Sequence, residues 1–172
     1  MEAVRRHLLL PSPPPLRPNP LSSLTEVEPS PVIIGGMVLD IHAKPSVPPH
    51  PGTTVPGMVK YISGGVARNI AECMSKLGTQ PFMISVVGND MAGIMQFLFE
   101  GLADDVATPV VSNVFDGSGE LIAGVASVET VENFITPSWI YRFRHHITNA
   151  PLVMLDANLS PESLKAACIS HD

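Results

Sequence analysis

The chain has 172 residues, which is enough for one domain of ordinary size. Hydrophobic residues make up 45% of it and charged residues 15%, so it can bury a substantial core. The formal net charge of −6, without a basic stripe interleaved with aromatic residues, argues against nucleic-acid binding. No apolar run approaches the length of a bilayer-spanning helix, which argues against a membrane-embedded protein.

Residues 1–30 differ in composition from the rest of the chain. Six prolines between Pro11 and Pro20 exclude a regular helix, so this segment is predicted to be a disordered leader. Its arginines and serines suggest organelle targeting, and the run from Arg5 to Leu8 resembles the end of a peroxisomal nonapeptide whose first two residues would precede Met1. Cytoplasmic and organellar locations both stay open.

From residue 31 onward, strand and helix patterns alternate. Short continuous apolar runs predict buried strands at residues 32–34, 82–87 and 152–155. Spacing of three and four residues predicts a helix ended by Gly78, whose apolar stripe consists of Val66, Ile70, Cys73, Met74 and Leu77. Capping residues begin three further helices: Asn89 or Asp90, Thr136-Pro137 and Ser160-Pro161.

The proline-rich residues 45–56 predict a loop, and the turn at residues 116–119 joins two predicted strands at 108–115 and 120–128. Alternating strands and helices predict an α/β fold with a mainly parallel sheet flanked by helices. The hairpin does not fit that alternation, so we expect it to form a flap at the sheet edge. Residues 31–172 are thus predicted to form one domain.

The cysteines and histidines do not indicate a metal site or a disulfide framework. Cys73 and Cys168 are far apart, so we expect reduced thiols that pack as small core residues in an intracellular compartment. His145 and His146 are adjacent and would point in different directions on a helix. Cations near a helix carboxyl end explain them better than a metal site does.

The candidate ligand site begins at Gly64-Gly65, where a loop becomes a helix. Without a Cβ, the backbone can approach a ligand there, and free N–H groups at the helix start can donate to it. Asn69, on the first turns of that helix, can hold a hydroxyl. Asp40 follows the first strand and can accept hydrogen bonds from two vicinal sugar hydroxyls. Each feature alone has an ordinary explanation in loop geometry, but together they predict a polyol pocket.

The run from Gly64 to Gly88 resembles the first signature of the PfkB, or ribokinase-like, family of carbohydrate kinases, with its paired glycines, Asn69 and Gly78 at the family's intervals. Further resemblances lie in Gly35-Gly36 with Asp40, in the G-x-D-x-x-G run of Gly88, Asp90 and Gly93, and in the hairpin, which corresponds to a flap over the substrate. The resemblance covers residues 31–172. It implies that Asp40, Gly64, Gly65 and Asn69 bind the substrate and that two copies pair through the flap.

Residues 108–111, 116–121 and 156–160 are similar to the pseudouridine kinases within this family. That similarity implies ATP- and Mg²⁺-dependent phosphorylation of pseudouridine to pseudouridine 5′-phosphate. No residue in the sequence indicates direct recognition of the nucleoside base, so a ribokinase-like sugar kinase or another nucleoside specificity stays open.

The family's catalytic motif, Gly-Ala-Gly-Asp, is absent from the chain, and no catalytic residue is assigned. The Gly117–Glu120 run is similar in letters, but its place between two strands predicts a hairpin turn. The family's nucleotide pocket and metal motif would follow Asp172, and there is no Walker A sequence. The connection from Gly101 to Thr108 is also shorter than in family members. We therefore expect a truncated or alternatively spliced product that is inactive alone.

The sequence leaves three hypotheses about the function of the chain. The first is a kinase whose full chain is longer, and the second is a non-catalytic product that binds ligand or a full-length partner. The third, an unrelated Rossmann-type binder, is disfavoured because no G-x-G-x-x-G follows a strand.

Overall fold

The structure is a computed structural model that describes residues 29–95, 102–103 and 106–171. The predictions for the leader up to residue 28, including Arg5 to Leu8, lie outside the described residues. None of the helices in the described ranges is long and apolar enough to span a membrane.

The described residues contain nine strands: β1 (Val32–Ile34), β2 (Val38–Pro45), β3 (Gly57–Gly64), β4 (Phe82–Ile84), β5 (Val87–Gly88), β6 (Leu102–Ala103), β7 (Val110–Phe115), β8 (Leu121–Ser127) and β9 (Val153–Leu155). They also contain six helices: α1 (Val66–Lys76), α2 (Met91–Met95), α3 (Glu129–Phe134), α4 (Pro137–Arg142), α5 (Arg144–Thr148) and α6 (Pro161–His171). The α/β class with parallel strands flanked by helices, predicted from the alternating patterns, is confirmed.

Three short parallel strands form the centre of the fold in the order β4-β1-β9. Val32 of β1 is in register with Phe82 on one side and Val153 on the other. The continuous apolar run of β1 is completely buried, as expected for a parallel strand covered on both faces. The most buried large side chains of the core come from this layer and from the neighbouring helical region: Ile34, Ile84, Ile135, Ile140 and Ile147.

The flap is a separate four-stranded sheet in the order β3-β2-β7-β8. The predicted hairpin is present as β7 and β8, and β2 adds to it in parallel while β3 pairs with β2 in antiparallel orientation. The predictions missed β2 and β3, so the flap has twice the expected number of strands. A period of two, with apolar Leu39, Ile41 and Ala43 alternating with polar residues, was the sequence feature that indicated β2.

The prediction that both cysteines pack in the core is wrong, because Cys73 and Cys168 are exposed. The predicted stripe of α1 is also largely uncovered, with Leu77 80% exposed. The helix instead approaches β1 through its buried Ala67, and a Cβ added to Gly35 would lie 2.9 Å from the Ala67 Cβ. A small residue at the contact lets the helix come close to Gly35.

Two predicted elements are each divided in the structure. The run at 82–87 divides into β4 and β5, and the helix predicted after Thr136 divides into α4 and α5 around Phe143. The end of α1 is confirmed, because Gly78 follows its last turn with φ +89°, a conformation that favours glycine. β5 pairs in parallel with the short strand β6.

Candidate functional site

Gly65 connects the flap to the first helix and is constrained in two ways. It lies between β3 and α1 with φ 99° and ψ 142°, a conformation that L side chains rarely adopt. A Cβ at this position would also lie 2.4 Å from the Gly36 carbonyl oxygen. Both constraints require glycine at the point where the β1–β2 connection crosses the β3–α1 connection.

The Asp40 carboxylate lies directly beside this crossing. Asp40 is on β2, whose first residue, Val38, pairs with Gly64 on β3. A Cβ on Gly64 would lie 2.0 Å from Asp40 Oδ2, so the carboxylate occupies the space that the missing side chain leaves. Asp40 is half-buried, and within the described part of the chain its carboxylate forms no ion pair or hydrogen bond. Its oxygens are therefore available to accept hydrogen bonds from a ligand.

Asn69 lies one turn into α1, and its backbone N–H donates to the Gly65 carbonyl oxygen at 2.9 Å. Its side chain is exposed and accepts a long hydrogen bond, 3.5 Å, from Arg68. Arg68 is also paired with Glu72. The hydrogen bond from Lys76 and the charge of Arg68 lower the Glu72 pKa. The structure thus brings Asp40, Gly64 and Gly65 together and places Asn69 one helical turn away, on the open side.

A partly buried hydrogen-bond network fixes the start of the flap strand β7. Asp90 Oδ1 accepts a hydrogen bond from the Gly93 N–H at 2.7 Å, as an N-cap residue does. The same oxygen accepts from the Thr108 hydroxyl at 2.7 Å, and Oδ2 accepts from the Thr108 N–H at 2.8 Å. Burial opposes ionisation of Asp90, but these hydrogen bonds outweigh it and lower its pKa. The Gly88 N–H in turn donates to the Thr108 hydroxyl at 2.8 Å. The G-x-D-x-x-G run therefore has a structural role here, and sequence reasoning did not identify Thr108 as its partner.

The Gly117–Glu120 run forms a hairpin turn, as its position between two strands predicts. The Asp116 carboxylate accepts from the Gly119 and Glu120 N–H groups at 2.8 and 2.9 Å and from the Ser118 hydroxyl at 2.6 Å. The hydroxyl, with the backbone N–H groups, lowers the Asp116 pKa. Because Asp116 already occupies these donors, the run cannot serve as an anion hole.

No group of three His, Cys, Asp or Glu side chains within the described residues is arranged to hold a metal ion. The adjacent histidines lie apart, with ring centroids separated by 6.1 Å. His146 instead stacks on Phe82 at a centroid distance of 4.0 Å.

Comparison with known proteins gives a consistent assignment, although no family model matches the chain. A pseudouridine kinase from Arabidopsis thaliana is 50% identical over 151 residues, which are 80% of this chain and 38% of that protein. The pseudouridine kinase of Escherichia coli is 27% identical over 143 residues, 77% of this chain and 45% of that protein. The chain therefore spans less than half the length of these curated relatives.

Solved structures show the same fold. A ribokinase from Giardia lamblia superposes with a TM-score of 0.70 at 21% identity, covering 82% of this chain and 50% of that one. An Arabidopsis thaliana ribokinase complexed with ribose and ATP gives a TM-score of 0.60 at 20% identity, covering 83% and 51%. The chain therefore belongs to the ribokinase-like, or PfkB, family of carbohydrate kinases and corresponds to its amino-terminal part.

Proposed function

We propose that this chain carries the substrate-binding part of an ATP-dependent kinase that converts pseudouridine to pseudouridine 5′-phosphate. The observation that carries the proposal is the half-buried Asp40 carboxylate, which lies over Gly64 without a partner in the described part of the chain. Two relatives named pseudouridine kinase support the substrate class, and a neighbour that binds ribose and ATP supports a sugar hydroxyl as acceptor and ATP as donor.

The geometry suggests how a ribose would be held. Two vicinal hydroxyls of the sugar would donate to the two oxygens of Asp40. Gly64 leaves room for the Asp40 carboxylate because it has no side chain, and the backbone N–H groups at the start of α1 would donate to sugar oxygens. Asn69 would contact a further hydroxyl from the open side. These contacts bind and orient the substrate for attack on a phosphoryl group.

We infer that the described residues do not hold ATP or Mg²⁺. They contain no metal-binding cluster, and the glycine-rich turn at Gly117 has its N–H groups occupied by Asp116. We therefore assign the nucleotide site and the catalytic base to the remainder of a full-length kinase. Positioning and electrostatic stabilisation account for most of phosphoryl-transfer catalysis, so the 172-residue polypeptide alone should be inactive.

A second candidate function is a non-catalytic chain that pairs with a full-length kinase or with a second copy through the flap. It is favoured by the exposed apolar side chains of the outer flap strands: Val59, Tyr61, Leu121, Ile122 and Val125. Analytical ultracentrifugation of the chain alone, and mixed with a full-length relative, would test this. A monomer in both samples would exclude it.

Activity is tested with the purified chain, pseudouridine, ATP and Mg²⁺ in a coupled assay. We expect no product above background, while ribose in place of pseudouridine tests the ribokinase-like alternative. Clear turnover with either substrate would contradict the assignment of the chain to substrate binding alone.

Binding is tested by calorimetry with pseudouridine. Replacing Asp40 by Ala removes both acceptor oxygens, so affinity should fall by about tenfold or more. Asp116→Asn is a matched control, because it removes a flap carboxylate that lies in the exposed hairpin turn. Unchanged affinity in the Asp40 variant would remove this residue from the site.

A further inference from the structure

Asp156 is a buried carboxylate at the end of a core strand. It follows β9 directly and is only 3% exposed. No Lys, Arg or His side chain in the described ranges forms an ion pair with it. A buried charge without a counter-ion is costly unless hydrogen-bond donors satisfy it, so the donors that surround Asp156 indicate what it holds in place.

The two oxygens of Asp156 bind different parts of the chain. Oδ1 accepts from the backbone N–H and the side-chain amide of Asn158, at 3.0 and 2.9 Å, which closes a local turn. Oδ2 accepts from the N–H of Gly36, 120 positions away, at 3.3 Å. A Cβ on Gly35 would lie 2.2 Å from the Asp156 Cβ, so glycine there permits the close approach.

Gly36 connects this carboxylate to the candidate sugar site. While its N–H faces Asp156, its carbonyl oxygen packs against Gly65, 2.4 Å from the place of a Cβ. The same segment leads into β2, which carries Asp40, and Gly65 leads into α1, which carries Asn69. The position of the Gly36 peptide therefore sets how the β1–β2 connection crosses the β3–α1 connection.

We propose that Asp156 is a positioning residue for the sugar pocket. Its Oδ2 holds the Gly36 peptide against Gly65 and so keeps Asp40 and the start of α1 in the geometry that binds vicinal hydroxyls. Asp156 contacts no substrate itself. The inference rests on the proposed function for the identity of the ligand, but the contact with Gly36 can be tested without any ligand.

The test compares Asp156→Asn with Asn158→Ala in the ¹⁵N-labelled 172-residue chain. An asparagine has one acceptor oxygen, and the two Asn158 donors would retain it, so the Gly36 N–H would lose its partner. We expect the Gly36 and Gly65 amide signals to shift and the Gly36 amide to exchange faster. Affinity for pseudouridine should weaken by about tenfold. Asn158→Ala removes only a donor to Oδ1, so it should leave both amides and the affinity essentially unchanged.

Each outcome is decisive. Unshifted Gly36 and Gly65 signals in Asp156→Asn, or shifted signals with unchanged affinity, would overturn the positioning role. If that variant does not fold, hydrogen exchange of the wild-type Gly36 amide decides instead, since an unprotected amide contradicts the hydrogen bond and a protected amide supports it. A wild-type chain that binds neither pseudouridine nor ribose would refute the proposed function, while the two amide signals still report on Asp156.

Discussion

The central parallel sheet and the flap are stabilised in different ways. β1 is buried along its whole length between β4 and β9, and its side chains pack into one core with those of the surrounding helices. In the flap, every residue of β8 is exposed, and in β3 only the last two residues are not. The long β2–β3 and β7–β8 registers, rather than a packed interior, hold that sheet together.

Because of this difference, we expect folding stability and ligand binding to depend on different regions of the molecule. Burial of large apolar side chains supplies most of the folding free energy, so stability should depend mainly on the parallel layer and its helices. The flap contributes Asp40 and meets the core at two crossings, one at Gly65 against Gly36 and one at Thr108 against Asp90. Substitutions at the crossings should therefore alter ligand affinity more than substitutions elsewhere in the flap.

The largest expected effect compares one residue type in the two regions. Ile34→Ala opens a cavity in a completely buried position of β1, so the free energy of unfolding should fall by about 2–5 kcal/mol. Ile122→Ala on β8, where the side chain is 54% exposed, should change it by roughly 0.5 kcal/mol or less. Urea denaturation of both variants measures this, and equal losses would contradict the division between core and flap.

Gly64→Ala should weaken binding with little loss of stability. The new Cβ would meet Asp40 Oδ2 at 2.0 Å, and the carboxylate, which has no partner in the described part of the chain, would move away. We expect roughly tenfold weaker pseudouridine affinity by calorimetry and a nearly unchanged unfolding midpoint. Gly117→Ala is the matched control because nothing lies within 4 Å of its added Cβ. Wild-type affinity in Gly64→Ala would show that the site does not need the Asp40 position seen here.

A smaller effect concerns the acid stability of the second crossing. The folded-state pKa of Asp90 is lowered, so its stabilising contribution is present above the ordinary aspartate pKa of about 4 and is lost as the pH falls through the folded value. The difference in unfolding free energy between wild type and Asp90→Asn should therefore shrink as the pH is lowered from neutral into that range. A difference that stays constant with pH would show that the Asp90 charge contributes nothing.

The sequence predicted those features that depend on local patterns. The apolar run at Val32, the end of α1 at Gly78 and the hairpin turn at Asp116 follow from periodicity and turn chemistry, and all three are confirmed. The features that it missed depend on contacts between distant segments. β3 pairs with β2 on an exposed sheet without alternating polar and apolar residues, and Ala67 rather than Leu77 faces the core where α1 meets Gly35.

The candidate site was predicted in part for the same reason. Asp40, Gly64, Gly65 and Asn69 were chosen from residue type, position and family resemblance, and the structure brings Asp40, Gly64 and Gly65 to one crossing. Their role as ligand contacts stays a prediction. Partners such as Thr108 and Asp156 could not be predicted, because hydrogen bonds across 18 and 120 positions leave no local pattern in a single sequence.

The most direct test of the sugar site is a titration of the ¹⁵N-labelled chain with pseudouridine, in which the backbone amide signals are monitored. We expect saturable shifts at Gly64, Gly65 and Asn69, with the signals of α6 unaffected. Shifts confined to other regions, or no shifts at millimolar ligand, would contradict the claim that the crossing of the flap and the first helix binds the substrate.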